Sequence, residues 1–453
     1  MMPTSFLNDL LQTLTNRGRT FLGLPPDPAL RADPSALAEQ LLSERGEASG
    51  VALAQALLDS YAAAPPEARL AFLRVLAERF GADRARLDRA LEAFRANPDD
   101  DTIHELHNAA EARRQELIRR LNLAPGGTAA LVKMREDILE HLREEPALRS
   151  VDSDFRHLFS SWFNRGFLVL RPIEWSSPAH ILEKIIRYEA VHAISDWNDL
   201  RGRLEPADRR CFAFFHPQLG DEPLIFVEVA LTREIPGAIA PLLAQKRDPI
   251  RAEDATTAVF YSISNTQKGL AAISFGHFLI KQVVQDLKRD LPNLKTFVTL
   301  SPVPGFAAWL NRERRAEMSD ALDEADKATL AALDEPGWHE NQAGLPALRK
   351  VMLQAAAYYF LKAKSPRGTP VDPVARFHLG NGARLEKLDF LGDPSPKGLT
   401  QSYGLMVNYL YALDDIEANH EAYARAGEII AAPAIRKLVK ADKPQRALAT
   451  VTD

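Results

Sequence analysis

The chain has a single cysteine, Cys211, in 453 residues, so no intrachain disulfide can form and packing alone must hold the fold. A reducing, cytoplasmic compartment is the expectation that follows. Long apolar runs are missing as well: no stretch of about eighteen apolar residues occurs, which leaves no candidate for a membrane-spanning helix. At the start of the chain Asp9 interrupts the apolar core that a signal peptide needs, and the segment reads as a first amphipathic helix. An excess of positive charge is also absent. With 56 basic and 61 acidic residues and a net charge of −5, there is no electrostatic case for a nucleic-acid partner.

Three signatures of site chemistry are lacking. No GxxxxGK[ST] cradle for a nucleoside triphosphate occurs, no GxGxxG turn follows a strand, and no HExxH zinc motif is present. His104 and His107 stand three apart on one helix face without a third ligand nearby, and a solvated face accounts for them.

What is present is ordinary globular material, 46% hydrophobic and 26% charged, in a chain long enough for two or three domains. Up to about residue 160, Ala, Leu, Arg and Glu dominate and apolar residues recur at helical spacing, as in Leu70, Leu73, Leu76 and Phe80. Breaks fall at Pro25-Pro26, Pro65-Pro66, Asn97-Pro98 and Pro125-Gly126-Gly127, where a backbone donor is lost or an unusual backbone angle becomes available. Residues 103–121 (Ile103, Leu106, Leu117, Ile118, Leu121) read as one periodic stretch, and six or seven helices packed as a bundle are expected. Near Trp162 the texture changes. β-like runs at 167–173, 212–216, 224–231, 257–264 and 296–300 alternate with helical segments, which implies a mixed sheet with helices on its faces. The fold class is therefore α+β, with an all-α bundle over 1–162 and a mixed α/β domain over 163–453. Within the second, 311–350 reads as a helical excursion, and the polar tail after Ile435 as frayed.

Chemistry concentrates in 260–306, which reads as a strand, a Gln267-Lys-Gly loop, a helix from Phe275, a second strand, and a Ser301-Pro-Val-Pro-Gly305 turn. A helix start offers free amides and the positive end of its dipole, so a phosphate binds there without an arginine cluster. Small residues, Gly269, Ala271, Ala272 and Gly276, keep side chains clear of such a ligand, although they also serve ordinary packing. Ser274, in Ala-Ile-Ser-Phe-Gly, resembles a nucleophile elbow, but the preceding strand ends near Ser264, too early for one. Ser301 sits on a turn stiffened by Pro302 and Pro304, either as a functional hydroxyl or as a cap for the helix that follows. His378 lies in Arg376-Phe-His-Leu-Gly-Asn-Gly382. A lone histidine there is more often a satisfied core or loop residue than a catalyst.

Taken together, these residues resemble the malonyl-CoA decarboxylase family. The resemblance rests on Phe260-Tyr-Ser-Ile-Ser264, Thr266-Gln267, Gly269-Leu270, Phe278-Leu-Ile-Lys281 and Leu300-Ser-Pro-Val-Pro-Gly-Phe306. It continues through Asp372-Pro-Val-Ala375, Phe377-His378-Leu379, Asn381-Gly382-Ala383, Gly404-Leu-Met406 and Asn408-Tyr409, in the family's order over most of the second domain. It implies a helical N-terminal domain used for oligomerisation, as a tetramer, and a catalytic domain similar to the GNAT acetyltransferase fold. In that fold the coenzyme A pyrophosphate lies on a loop and helix start, which maps to Ala271, Ala272, Ile273, Ser274, Phe275, Gly276 and His277. The acetyltransferase loop reads Gln/Arg-x-x-Gly-x-Gly/Ala, whereas Leu270 stands at its fourth position here and the glycine at its third. The family's catalytic serine and histidine fall on Ser301 and His378.

The implied chemistry is loss of carbon dioxide from a malonyl thioester to leave an enolate, which donors at the thioester oxygen stabilise and a proton on carbon quenches. It calls for no metal, biotin, pyridoxal phosphate or other cofactor. Three other readings stay open from the residues alone: a coenzyme A dependent N-acyltransferase, a thioesterase using the same serine and histidine, and a non-enzymatic helical scaffold.

Overall fold

The computed structural model describes residues 13, 33–43, 46–273 and 279–439. The expected N-terminal amphipathic helix, the tail beyond residue 439, and Ser274, Phe275, Gly276 and His277 lie outside the described residues. The chain forms two compact units, one of Met1–Val169, Phe214–Leu224 and Asn265–Gly276, the other of Leu170–Ala213, Ile225–Ser264 and His277–Asp453.

The first unit is helical. Its described helices are Pro34–Leu42, Glu47–Ala63, Pro66–Arg79, Arg84–Ala96, Asp100–Ala110, Arg113–Leu121, Gly127–His141 and Leu148–Trp162. Prolines open two of them at the first turn, where a missing N–H costs nothing. Asp99 opens another through a capping box with Thr102, so both backbone donors at that end are bonded. The apolar periodicity becomes a core of Leu57, Leu73, Phe80, Leu117, Leu131, Ile138 and Phe155. One break was not visible locally. The stretch 103–121 divides at Glu111 and Ala112, whose extended backbone turns the amides of Arg113 and Arg114 onto the carbonyls of Gly81 and Phe80. Those bonds to the end of a distant helix replace the intrahelical ones, and this break adds one to the eight helices described, against six or seven expected.

The described strands form a mixed sheet of eight, most of whose residues belong to the second unit: β1 Val169–Pro172, β2 Arg209–Phe215, β3 Pro223–Thr232, β4 Thr257–Asn265, β5 Thr296–Thr299, β6 Ser301–Pro302, β7 Arg384–Asp389 and β8 Met406–Leu410. Their order is β1-β2-β3-β4-β5-β8-β6, with β7 also paired to β8. The first five match the β-like runs in the sequence. β6 is only two residues long, and the polar-rich Arg-Leu-Glu-Lys-Leu-Asp389 of β7 carries no strand signal of its own; antiparallel pairing with β8 makes it a strand. Ala230, Ile239, Val259, Tyr261, Val298, Leu300 and Met406 form a buried cluster on this sheet.

Strands β4 and β5 run parallel from Thr257 opposite Thr296 to Phe260 opposite Thr299. There β5 stops, while β4 continues to Asn265 and the chain leaves through Ser301 to pair with Val407 of β8. The divergence of two parallel strands at Phe260 and Thr299 is what sets Ser301 apart from β4. Residues 311–350 are mainly helical, including Glu324–Leu330 and the start of Leu345–Leu361.

Candidate functional site

Ser301 does not cap the helix after it. That helix, Phe306–Arg315, begins at Gly305 with no side-chain cap, and the two prolines carry the chain from β6 into it. The Ser301 hydroxyl is buried and donates to Thr299 Oγ1 at 2.9 Å. Residues two apart in an extended chain share a face, so Thr299 is the neighbour that alternation along 296–301 dictates. Thr299 Oγ1 in turn accepts the Tyr409 amide of β8 at 3.1 Å.

His378 arrives on the helix Pro373–Gly380. Asp372 starts it by accepting the Ala375 amide at 2.7 Å, and Pro373 occupies the first turn. Gly382, with φ of +80°, turns the chain into β7. The imidazole is 3% exposed and lies face to face with Tyr409, with ring centres 4.6 Å apart. Its Nε2 is 3.3 Å from Ser301 Oγ, and its Nδ1 is 2.8 Å from the Tyr411 hydroxyl. Tyr411 packs its edge against Phe260, at the point where β4 and β5 part.

Burial pushes His378 down to about 3, so the ring is neutral near pH 7 and carries one N–H. Hydrogen-bond accounting assigns it. Ser301 has one proton, and in the bond to Thr299 that proton is used, so the Ser301–His378 contact carries the ring's Nε2–H toward the serine oxygen. Nδ1 is then the acceptor and Tyr411 the donor. Burial likewise holds the Tyr411 and Tyr409 hydroxyls well above the usual phenol range, so both are protonated in the resting site.

A buried neutral histidine leaves a mark on stability. In the unfolded chain His378 takes a proton near its ordinary value of 6.5, while in the fold it does so only at about 3. Between these values the unfolded state binds more protons, so the contribution is complete above pH 6.5 and is lost progressively as pH falls toward 3. The thermal midpoint of the native chain should therefore fall more steeply on acidification through this window than that of His378→Asn. Parallel curves for the two proteins would contradict the assignment.

Of the segment expected to hold phosphates, Ala271, Ala272 and Ile273 are described. They follow the short helical turn Lys268–Leu270, with Lys268, Ala271 and Ala272 exposed and Gly269, Leu270 and Ile273 buried. The amides of Leu270, Ala271 and Ile273 bond to carbonyls within the turn. Ala272 has φ of +60°, the left-handed region.

Beside Ser301, Pro302 and Pro304 line a cavity of about 190 Å³ whose other walls include His192, Lys397, Leu405 and Met406. His104 and His107 are exposed on their helix. Among the described residues no group of three or more His, Cys, Asp or Glu side chains is placed to hold a metal ion, and no helix is long and apolar enough to cross a membrane. Thr299 and Tyr411 carry no motif in the sequence, and Tyr409 enters it only in the Asn408-Tyr409 pair, without a place in the site. The signal for them was period two: Thr299 lies two before Ser301, and Tyr411 two after Tyr409.

Comparison with known proteins gives a consistent result. Residues 166–449 match the model of the malonyl-CoA decarboxylase C-terminal domain and 80–163 that of the malonyl-CoA decarboxylase N-terminal domain. A crystal structure of malonyl-CoA decarboxylase from Rhodopseudomonas palustris is 64% identical, covers 91% of this chain and 100% of its own, and superposes with a TM-score of 0.87. One from Agrobacterium vitis is 59% identical over 90% of this chain and 100% of its own, with a TM-score of 0.86. The mitochondrial malonyl-CoA decarboxylase of Anser anser anser is 34% identical over 82% of this chain and 80% of its own length.

Proposed function

The chain belongs to the malonyl-CoA decarboxylase family of carboxy-lyases, and on that premise we propose that it converts malonyl-CoA to acetyl-CoA and carbon dioxide through an enolate protonated by Ser301 and His378. The observation that carries the mechanism is the contact of Ser301 Oγ with His378 Nε2 at 3.3 Å in a buried setting. Departure of carbon dioxide leaves charge on the thioester enolate, and the barrier is chiefly the cost of that charge. The Ser301 hydroxyl gives its proton to the enolate carbon and takes the Nε2 proton of His378. Nδ1 takes the Tyr411 proton in the same movement, so the charge passes through serine and the ring without resting on either and is discharged when a proton from solvent returns to Tyr411. Solvent restores the relay at the end of the cycle.

The direction of the serine–histidine bond favours this over a thioesterase. A nucleophilic serine needs an imidazole that accepts its proton and a partner, commonly a carboxylate, that steadies the resulting cation. Here the ring presents N–H to the serine, burial opposes a cation, and the partner of Nδ1 is a phenol. The nearby carboxylate Asp372 is engaged in capping its helix and in accepting the Tyr359 hydroxyl at 3.3 Å.

In this reading the coenzyme A phosphates lie on Ala271 to His277, the protein acts in the cytoplasm, and the helical unit assembles copies of the chain into a tetramer. Product analysis on malonyl-CoA tests the reaction: acetyl-CoA and carbon dioxide are expected, and malonate with free coenzyme A would overturn it. Tyr411→Phe keeps the ring that packs on Phe260 and removes only the donor to Nδ1, so kcat should fall about tenfold, the worth of one hydrogen bond. An unchanged kcat would remove Tyr411 from the relay.

A further inference from the structure

We propose that Arg135, on the helix Gly127–His141, is the positioning residue that sets the turn Lys268 to Ala272, where the segment assigned above to the coenzyme A phosphates begins; the inference rests on that assignment. Arg135 is completely buried. Its Nη1 donates to the carbonyl oxygens of Gly269 at 2.6 Å and Ala271 at 3.0 Å, while Nε donates to Asp152 at 2.8 Å. A buried cation is tolerated because a carboxylate pairs it, and a planar fork is needed because three acceptors must be met at once.

Two further features fasten the loop within the same unit. Gly269 lies so close to the Gly127–His141 helix that a Cβ on it would stand 2.0 Å from the Val132 carbonyl oxygen. Upstream, the Thr266 amide donates to the Leu224 carbonyl at 3.0 Å, and both the Thr266 hydroxyl and Gln267 Nε2 donate to the Pro223 carbonyl. The entry of the loop is thus tied to the segment Phe214–Leu224 and its exit to Arg135.

The grip on Ala271 has a directional effect. A trans peptide is planar with its C=O and N–H on opposite sides, so drawing the Ala271 carbonyl in toward Arg135 turns the Ala272 N–H outward. The left-handed backbone of Ala272 is a conformation that alanine adopts when its surroundings impose it. Arg135 is that surrounding: it fixes the Gly269–Leu270 and Ala271–Ala272 peptides so that the exposed side of the turn presents amide and Lys268 to an anion. The helical unit therefore does more than assemble the protein, since one of its helices shapes where the nucleotide end of the substrate rests.

The experiment compares two substrates on the full chain, malonyl-CoA and malonyl-pantetheine, which carries the same reacting group without the nucleotide phosphates. Arg135→Lys keeps the charge but cannot reach three acceptors, and Gly269→Ala pushes the loop off the helix without touching any charge. In each variant the preference for malonyl-CoA, taken as the ratio of the two kcat/KM values, should fall about tenfold or more through KM for malonyl-CoA, the scale expected when a positioning element is displaced. A variant that is merely less stable loses active molecules toward both substrates alike, so an unchanged ratio in whichever variant folds overturns the proposal. Failure of the underlying assignment looks different: the unsubstituted protein would itself show no preference for malonyl-CoA.

Discussion

Ser301→Ala is expected to lower turnover of malonyl-CoA by about a hundredfold or more, the usual contribution of a group that transfers a proton in the rate-limiting region. His378→Asn should do the same. The two losses should not add, because the residues act as one relay through the 3.3 Å contact, so the double variant should resemble either single one. Loss of the Ser301 hydroxyl leaves a cavity no larger than a methyl group, and Thr299 keeps its second partner in the Tyr409 amide, so the stability cost should be confined to the buried His378 Nε2–H that loses its acceptor, about 1 to 3 kcal/mol, and is checked by denaturation alongside the assay. What remains is chemistry. The residual reaction should still release carbon dioxide, since stabilisation of the enolate does not depend on the proton that quenches it. Near-normal rates in either single variant would refute the mechanism, and strict additivity in the double would refute the relay.

The second large effect concerns stability. Gly382 ends the segment that carries His378, with φ of +80° and no room for a side chain: a Cβ would lie 2.1 Å from the Ile416 carbonyl oxygen and 2.9 Å from its carbon. That carbonyl begins the helix Ile416–Ala426 and cannot swing aside without breaking it. Gly382→Ala therefore adds a left-handed backbone penalty to an overpacking penalty, together roughly 3 kcal/mol. Gly368 is the control. Its φ is +76°, but nothing lies within 4 Å of the added Cβ, so Gly368→Ala should show only the backbone part, about 1 kcal/mol. Chemical denaturation of the two variants checks this, and equal losses would show that the Ile416 contact is unimportant. Because Gly382 follows His378 by four residues, activity should also suffer more than the loss of folded protein explains.

Local signals carried much of the architecture. Proline and glycine punctuation and helical periodicity mark most helices of the first unit, and β-branched and aromatic runs mark β1 to β5, because both depend on residues a few positions apart. Strands β6, β7 and β8 escaped, since what makes Ser301, the charged run at 384–389 and Met406–Leu410 extended is pairing across long separations. The break at Glu111 escaped for the same reason, its amides being bonded to Phe80 and Gly81.

For the site, the sequence by itself determined the cast: a serine on a rigid Pro-rich turn, a histidine before an Asn-Gly turn, and a small-residue loop after a strand, in an order that resembles one family. Only the tertiary structure decided how they meet. It set Ser301 against His378 across 77 positions of chain, brought Tyr411 to the far nitrogen of the ring, and buried the group enough to keep it neutral. It also tied the loop at Gly269 and Ala271 to Arg135, 134 and 136 positions earlier. The physical reason is common to all four. Residue type and spacing act through the local backbone, whereas burial, the direction of a shared proton and the reach of a guanidinium depend on groups that only folding brings within a few ångströms.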